Sequence, residues 1–225
     1  MTKAEKNISA IFFDLDGTLA DTAPDLAGAL NKLRAEHGLP PLPLPELRPH
    51  VSAGAKGLLL AGMNIGLENP AYLAMQRQFL ALYEKNVHNE TRLFDGIAEC
   101  LDRLDTLNIP WGIVTNKALR FAAPLIDGLG LQHRAICLVA GDSASHPKPH
   151  PAPLLMAARM AAIQPEYCIY IGDDERDILA AHAANMQAAA AAWGYLGSDK
   201  PVADWGADII ITSPKDIFRI ITPSR

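Results

Sequence analysis

Cysteine is scarce, with three residues in 225, and Cys100, Cys137 and Cys168 stand far apart in an odd number. That excludes a disulfide framework and, with no Cys-x-x-Cys pair, a thiolate zinc site. Reduced core thiols in a cytoplasmic protein are the expectation. Long apolar runs are missing too: nothing approaches the roughly 20 residues that span a bilayer, so no membrane partner is expected. The opening MTKAEKNISAIFFDLDG is basic and then apolar, like a signal peptide, but the apolar stretch is short and cut by Asp14 and Asp16. It reads as a first strand. Positive charge is in deficit, with 20 Lys and Arg against 25 Asp and Glu and a net charge of -5. Duplex binding draws on clustered Lys and Arg, so no nucleic-acid partner is expected, whereas a small anionic substrate needs only a few cations. No Gly-x-x-x-x-Gly-Lys loop occurs, and no Gly-x-Gly-x-x-Gly follows a strand, which removes the common nucleotide-binding frameworks.

What is present is a regular alternation of short apolar runs and longer amphipathic stretches, the mark of βαβ units on a parallel sheet. Strands are predicted at Ile8 to Phe13, Trp111 to Val114, Ala135 to Val139 and Cys168 to Ile171, with weaker ones at Gln187 to Ala192 and Asp208 to Ile211. Their Ile and Val content without polar alternation implies cover on both faces. Helices are expected after Asp95-Gly96, where Leu101, Leu104 and Leu107 recur before Pro110, from Ala118 to Leu129, and from Ala152 to Ile163.

One interval breaks the rhythm. Between the first strand and Asp95 lie about eighty residues without a convincing strand, too many for a loop in a compact domain. Thr22 reads as the cap of a helix that carries Pro24 and Asp25 in its first turn and ends at Gly38. A proline-dense stretch follows, then helix at Lys56 to Leu60 and from Pro70 to Asn86. The fold expected is α/β: a Rossmann-like three-layer core with a parallel sheet, and a small alpha-helical cap inserted after the first strand. The core takes residues 1–20 and 90–225, and the cap takes 21–89.

The densest chemistry is Asp14-Leu15-Asp16-Gly17-Thr18-Leu19-Ala20-Asp21, directly after a buried strand. Ligand crevices of open parallel sheets lie beyond the strands' carboxyl ends, where these side chains would project. A solvated strand-to-helix loop draws on the same residue types, but the full string resembles the first motif of the haloacid dehalogenase superfamily, in its phosphatase branch. The other three motifs follow in order, at Val114-Thr115-Asn116-Lys117, Lys148-Pro149 and Ile171-Gly172-Asp173-Asp174-Glu175-Arg176-Asp177, each after a predicted strand.

The resemblance implies that Asp14 is a nucleophile forming an aspartyl phosphate, and that Asp16 is acid to the leaving alkoxide and then base to water. Dehalogenases of the superfamily lack that second acid, so Asp16 favours phosphoryl transfer. It also implies Mg²⁺ held by Asp14, the backbone carbonyl of Asp16 and Asp173, with Asp177 as the second acid of its motif. Asp174 competes with Asp177 for that place, and Asp173 to Asp177 would equally suit the acidic first turn of a helix. Lys148 would tether Asp14 and a phosphoryl oxygen, and Thr115 and Asn116 would bind the phosphoryl group. Like charges about 4 Å apart repel by about 4 kcal/mol at an effective dielectric near 20, so such an acidic site requires compensating cations.

The stretch Arg48-Pro49-His50-Val51-Ser52-Ala53-Gly54-Ala55-Lys56-Gly57 resembles the specificity loop of caps of the phosphoglycolate phosphatase type, with Arg48 or Lys56 as binders of a substrate carboxylate. Arg120-Phe121, Trp193-Gly194-Tyr195 and Trp205-Gly206-Ala207-Asp208 resemble bacterial N-acetylmuramic acid 6-phosphate phosphatases. His146 and His150 have no metal-ligand spacing and read as loop residues. The implied activity is hydrolysis of a small phosphorylated metabolite by a monomer or homodimer. A sugar phosphomutase would use the same aspartyl phosphate. A phosphorylation-switched signalling module would share the Asp, Thr and Lys, but with its phosphorylated Asp after the third strand and no hydrolytic acid.

Overall fold

The computed structural model describes residues 8–197 and 200–221; the basic segment at 1–7 lies outside them. Strand β1 (Ala10–Phe13) leads into a short β2 (Ala20–Asp21) and helices α1 (Ala23–Glu36), α2 (Leu44–Leu47), α3 (Gly54–Met63) and α4 (Tyr72–Glu84). Then follow β3 (Arg92–Leu93), α5 (Ile97–Thr106), β4 (Trp111–Val114), α6 (Leu119–Gly128), β5 (Leu138–Val139) and α7 (Ala152–Ala161). The chain continues with β6 (Cys168–Gly172), α8 (Glu175–Ala183), β7 (Gln187–Ala191), β8 (Ile209–Ile211) and α9 (Ile217–Ile221).

Six strands form one parallel sheet in the order β5-β4-β1-β6-β7-β8. Side chains alternate faces along a strand, and β1 shows how this builds three layers. Ile11 and Phe13 join a core with Leu101 and Leu104 of α5 and Leu125 of α6. Ala10 and Phe12 face the other way, onto Leu154 and Ala157 of α7 and Ile178 and Ala181 of α8. Chain order reverses beside β1, with β4 and β5 on one side and β6, β7 and β8 on the other. The crevice expected at such a switch point lies at the carboxyl ends of β1, β4 and β6.

Helices α1 to α4 pack around a third buried cluster containing Leu30, Leu33, Leu58, Phe79 and Tyr83. The chain leaves and re-enters the sheet through the antiparallel pair β2–β3. Asp25 fastens this crossing. Its carboxylate accepts from the backbone amides of Asn89, Glu90 and Thr91 and from the Thr91 hydroxyl (2.7–3.0 Å).

Two local expectations change. Thr22 makes no side-chain cap on α1; its hydroxyl donates instead to Asp16 Oδ1 (2.5 Å). The Tyr195 hydroxyl takes the capping role, accepting from the amides of Thr22 (2.7 Å) and Ala23 (2.9 Å). The third predicted strand shrinks to Leu138–Val139, because the Ala135 amide turns back to the Leu131 carbonyl. All three cysteines are buried free thiols, and burial pushes Cys100 up to about 12 and both Cys137 and Cys168 up to about 11.

Candidate active site

Asp14 follows β1, Thr115 follows β4, Lys148 precedes α7 and Asp173 follows β6, so parallel pairing carries all four to one end of the sheet. Lys148 is at the centre. Its ammonium, on a side chain 2 % exposed, lies 2.9 Å from Asp14 Oδ1 and 2.7 Å from Asp177 Oδ1. It also donates to the Tyr170 hydroxyl (2.7 Å) and the Val114 carbonyl (3.2 Å). Burial alone would depress the ammonium, but Asp14 and Asp177 outweigh it and hold Lys148 above the ordinary lysine value.

The carboxylates outnumber this cation. Asp14, Asp173 and Asp177 each bring one oxygen within 4.8 Å of the others. Asp173 is 1 % exposed; it accepts from Thr18 Oγ1 (2.9 Å) and the Tyr195 amide (2.8 Å). Burial foremost, then Asp14 and Asp177, drives its carboxyl well above the usual range. Asp14 Oδ1 is buried and, beyond the Lys148 ammonium at 2.9 Å, meets no donor among the described residues. Crowded hard oxygens that outnumber their donors fit a small divalent cation. Asp177 also accepts from the Asp174 amide through Oδ2 (3.1 Å). Asp174 caps α8 and pairs with Arg176 (2.7 Å), which outweighs its burial and lowers its carboxyl.

Asp16 points elsewhere. Its oxygens lie 2.9 and 3.2 Å from the Lys117 ammonium, whose side chain is 7 % exposed and stands over the Tyr83 ring at 4.8 Å. Lys117 is the principal residue that sequence reasoning passed over, although it stands inside the second motif. Asn116 acts through its side chain, donating to the Lys148 carbonyl (2.9 Å) and accepting from the Lys148 amide (2.8 Å). It thereby pins the loop that carries the buried lysine. Thr115 is buried, and its hydroxyl accepts from the Lys117 amide (3.2 Å).

These groups floor a cavity of about 460 Å³ roofed by Val51, Ser52 and Gly54 from the predicted specificity loop and by Phe79 and Tyr83 from α4. Arg48 and Lys56 do not line it. Arg48 grips Asp21 with two hydrogen bonds (3.1 and 2.7 Å) and lies over Tyr195, and Lys56 is exposed on α3. The loop reaches the cavity through its small central residues, while Arg120 and Arg176 supply guanidinium groups to the wall. His146 and His150 are exposed and stacked on each other.

Two glycines seat Asp173. A Cβ on Gly17, whose φ is +86°, would lie 2.1 Å from Asp173 Oδ2. One on Gly194 would lie 2.2 Å from Asp173 Cβ and 2.4 Å from the Gly17 carbonyl oxygen. Backbone cannot yield there, so Gly194→Ala is expected to destabilise by about 1–3 kcal/mol. Gly28→Ala, inside α1 with nothing within 4 Å of its Cβ, is expected to stabilise by up to about 1 kcal/mol. Opposite shifts in thermal midpoint check both, and equal midpoints would refute the seating of Asp173.

The haloacid dehalogenase-like hydrolase family model matches residues 11–191. A phosphoglycolate phosphatase of Xanthomonas campestris is 43% identical over 210 residues, covering 93% of this chain and 94% of the relative. An N-acetylmuramic acid 6-phosphate phosphatase of Pseudomonas aeruginosa is 37% identical over 214 residues, covering 95% of each chain. A crystal structure described as a predicted phosphoglycolate phosphatase from Haemophilus somnus superposes with a TM-score of 0.84 at 28% identity, covering 96% of this chain and 99% of that one.

Proposed function

This chain belongs to the haloacid dehalogenase-like hydrolase family as a phosphoric monoester hydrolase, and from that premise we propose a magnesium-dependent phosphatase working through an aspartyl phosphate on Asp14. The observation that carries the reading is the meeting of Asp14, Asp173 and Asp177 around the buried Lys148 ammonium. Residues 21–89 act as the cap and residues 1–20 and 90–225 as the core.

Asp14 attacks phosphorus, the bond to the ester oxygen breaks, and Asp16 gives that oxygen its proton. Water then attacks the phosphorus of the aspartyl phosphate as Asp16 takes its proton, which frees Asp14 and inorganic phosphate. Lys148 and Thr115 bind phosphoryl oxygens, and Asn116 keeps Lys148 in place. Lys117 and Thr22 orient the Asp16 carboxylate. Asp14, Asp173, Asp177 and the Asp16 carbonyl would hold Mg²⁺. When bound, the ion supplies the positive charge that allows a phosphate dianion to enter beside carboxylates.

The substrate is a small phosphorylated metabolite, with 2-phosphoglycolate and N-acetylmuramic acid 6-phosphate the candidates that the relatives suggest. Both of those relatives are phosphatases, so the phosphomutase and signalling readings are not carried further. Among the described residues no helix is long and apolar enough to cross a membrane, and the buried free thiols fit a reducing, cytoplasmic setting. EDTA is expected to lower phosphate release from the favoured ester below about 1% of its original rate, and added Mg²⁺ to restore it. Undiminished hydrolysis in EDTA after exhaustive dialysis would sink the metal assignment. Assays of both esters side by side name the substrate.

A further inference from the structure

Three of the four cations that line the cavity face a carboxylate. Lys148 faces Asp14 and Asp177, Lys117 faces Asp16, and Arg176 faces Asp174. Arg120 also lines the cavity, yet among the described residues it has no carboxylate partner. Its guanidinium rests on the Phe121 ring at 4.5 Å. Stacking engages the face of that plane and leaves the N–H donors at its edge available. Arg120 is moreover the second residue of α6. A cation in the first turn of a helix opposes the helix dipole. Arg120 is exposed to solvent and gains nothing from that position by itself, whereas an anion bound to it would also be favoured by the dipole.

The same cavity carries unmet polar groups. The Ser52 hydroxyl is buried without a hydrogen-bond partner among the described residues, and the Tyr83 hydroxyl, on a residue 1 % exposed, has only the Lys117 ammonium near it. An unmet buried hydroxyl keeps its desolvation penalty, which a polar leaving group would relieve. A volume of about 460 Å³ accommodates far more than the phosphoryl group.

Resting on the phosphatase reading, we propose that Arg120 is a specificity-determining residue that pairs with a carboxylate on the leaving alcohol of the substrate. One guanidinium matches one planar carboxylate in charge and in fork geometry, while a second phosphate dianion would leave a charge over. Tyr83 and Ser52 meet the remaining polar atoms of the alcohol.

The test compares the full chain with Mg²⁺ as wild type, Arg120→Met and Arg120→Lys on two matched pairs of esters. The pairs are 2-phosphoglycolate with ethyl phosphate, and N-acetylmuramic acid 6-phosphate with N-acetylglucosamine 6-phosphate; each second member lacks the carboxylate. Wild type is expected to prefer the acid of one pair by about 30-fold in kcat/KM, the scale of a hydrogen bond between charged groups. Which pair shows it distinguishes the two-carbon acid from the sugar acid. Arg120→Met, which keeps the packing on Phe121, erases the preference through KM and leaves the neutral ester within about twofold. Arg120→Lys retains part of it. A preference that survives Arg120→Met, an equal loss on both members of a pair, or wild-type hydrolysis without preference overturns the proposal alone. Absence of hydrolysis of every ester overturns the phosphatase reading with it.

Discussion

Asp14→Asn is expected to lower phosphate release by at least about 10⁴-fold while leaving the fold intact. The asparagine amide fills the same space after β1 but offers phosphorus no nucleophilic carboxylate. Stability should move the other way. Burial foremost, opposed by Lys148 and reinforced by Asp177 and Asp16, raises the Asp14 carboxyl from 3.8 to about 6. A carboxyl raised in this way holds more protons folded than unfolded between those values. The metal-free protein therefore gains stability as pH falls from about 6 towards 3.8, and ionised Asp14 costs on the order of 3 kcal/mol at neutral pH. Asparagine mimics the protonated acid and escapes that cost. In EDTA at neutral pH the variant should melt several degrees above wild type, and saturating Mg²⁺ should narrow or reverse the gap, because only the complete carboxylate set binds the ion well. Phosphate release combined with scanning calorimetry checks both halves. Wild-type turnover in the variant would remove Asp14 from the mechanism, and a lower melting point in EDTA would refute the electrostatic account.

The framework that presents Asp14 was readable because strands covered on both faces announce themselves as unbroken apolar runs. Trp111–Val114 is found as expected, and Cys168–Gly172 extends the expected strand by one residue. The pair β2–β3 was not readable, since two residues per strand carry no period. Asp14, Thr115 and Asp173 were legible because each directly follows a strand, where local sequence fixes its position, and Lys148 because it stands beside Pro149 shortly before α7. Their partners were not. Lys117 meets Asp16 across 101 residues and Tyr195 meets Thr22 across 173, distances over which one sequence holds no pairing signal. Thr22 shows the cost of local reasoning: a threonine before a helix is an ordinary cap, but here a closer carboxylate takes its hydroxyl. The partner of Arg48 was hidden for a similar reason, since Asp21 meets it across the sequence.

Pairing also explains how so many acids are held in one pocket. Asp16 and Asp174 each own a cation, whereas Asp14 and Asp177 share Lys148 and Asp173 has no ion-pair partner among the described residues. The shortfall of positive charge therefore falls on the three acids assigned to the metal.

Lys148→Met should consequently do the opposite of Asp14→Asn to stability while also removing activity. Methionine fills the channel between Tyr170 and Val114 but strands Asp14 and Asp177 without their ammonium. Breaking a buried ion pair from one side costs about 3–5 kcal/mol, because the abandoned charge stays in a poor solvent. Loss of the group that faces the phosphoryl oxygens lowers turnover by about 10³-fold. Asp177→Asn added to Lys148→Met removes one stranded charge and should recover part of the stability and none of the turnover, so the two stability changes will not add. Urea unfolding in EDTA, set beside phosphate release, measures both quantities. A Lys148→Met protein as stable as wild type would mean that the buried ammonium compensates nothing, and the charge accounting of the site would have to be rebuilt without it.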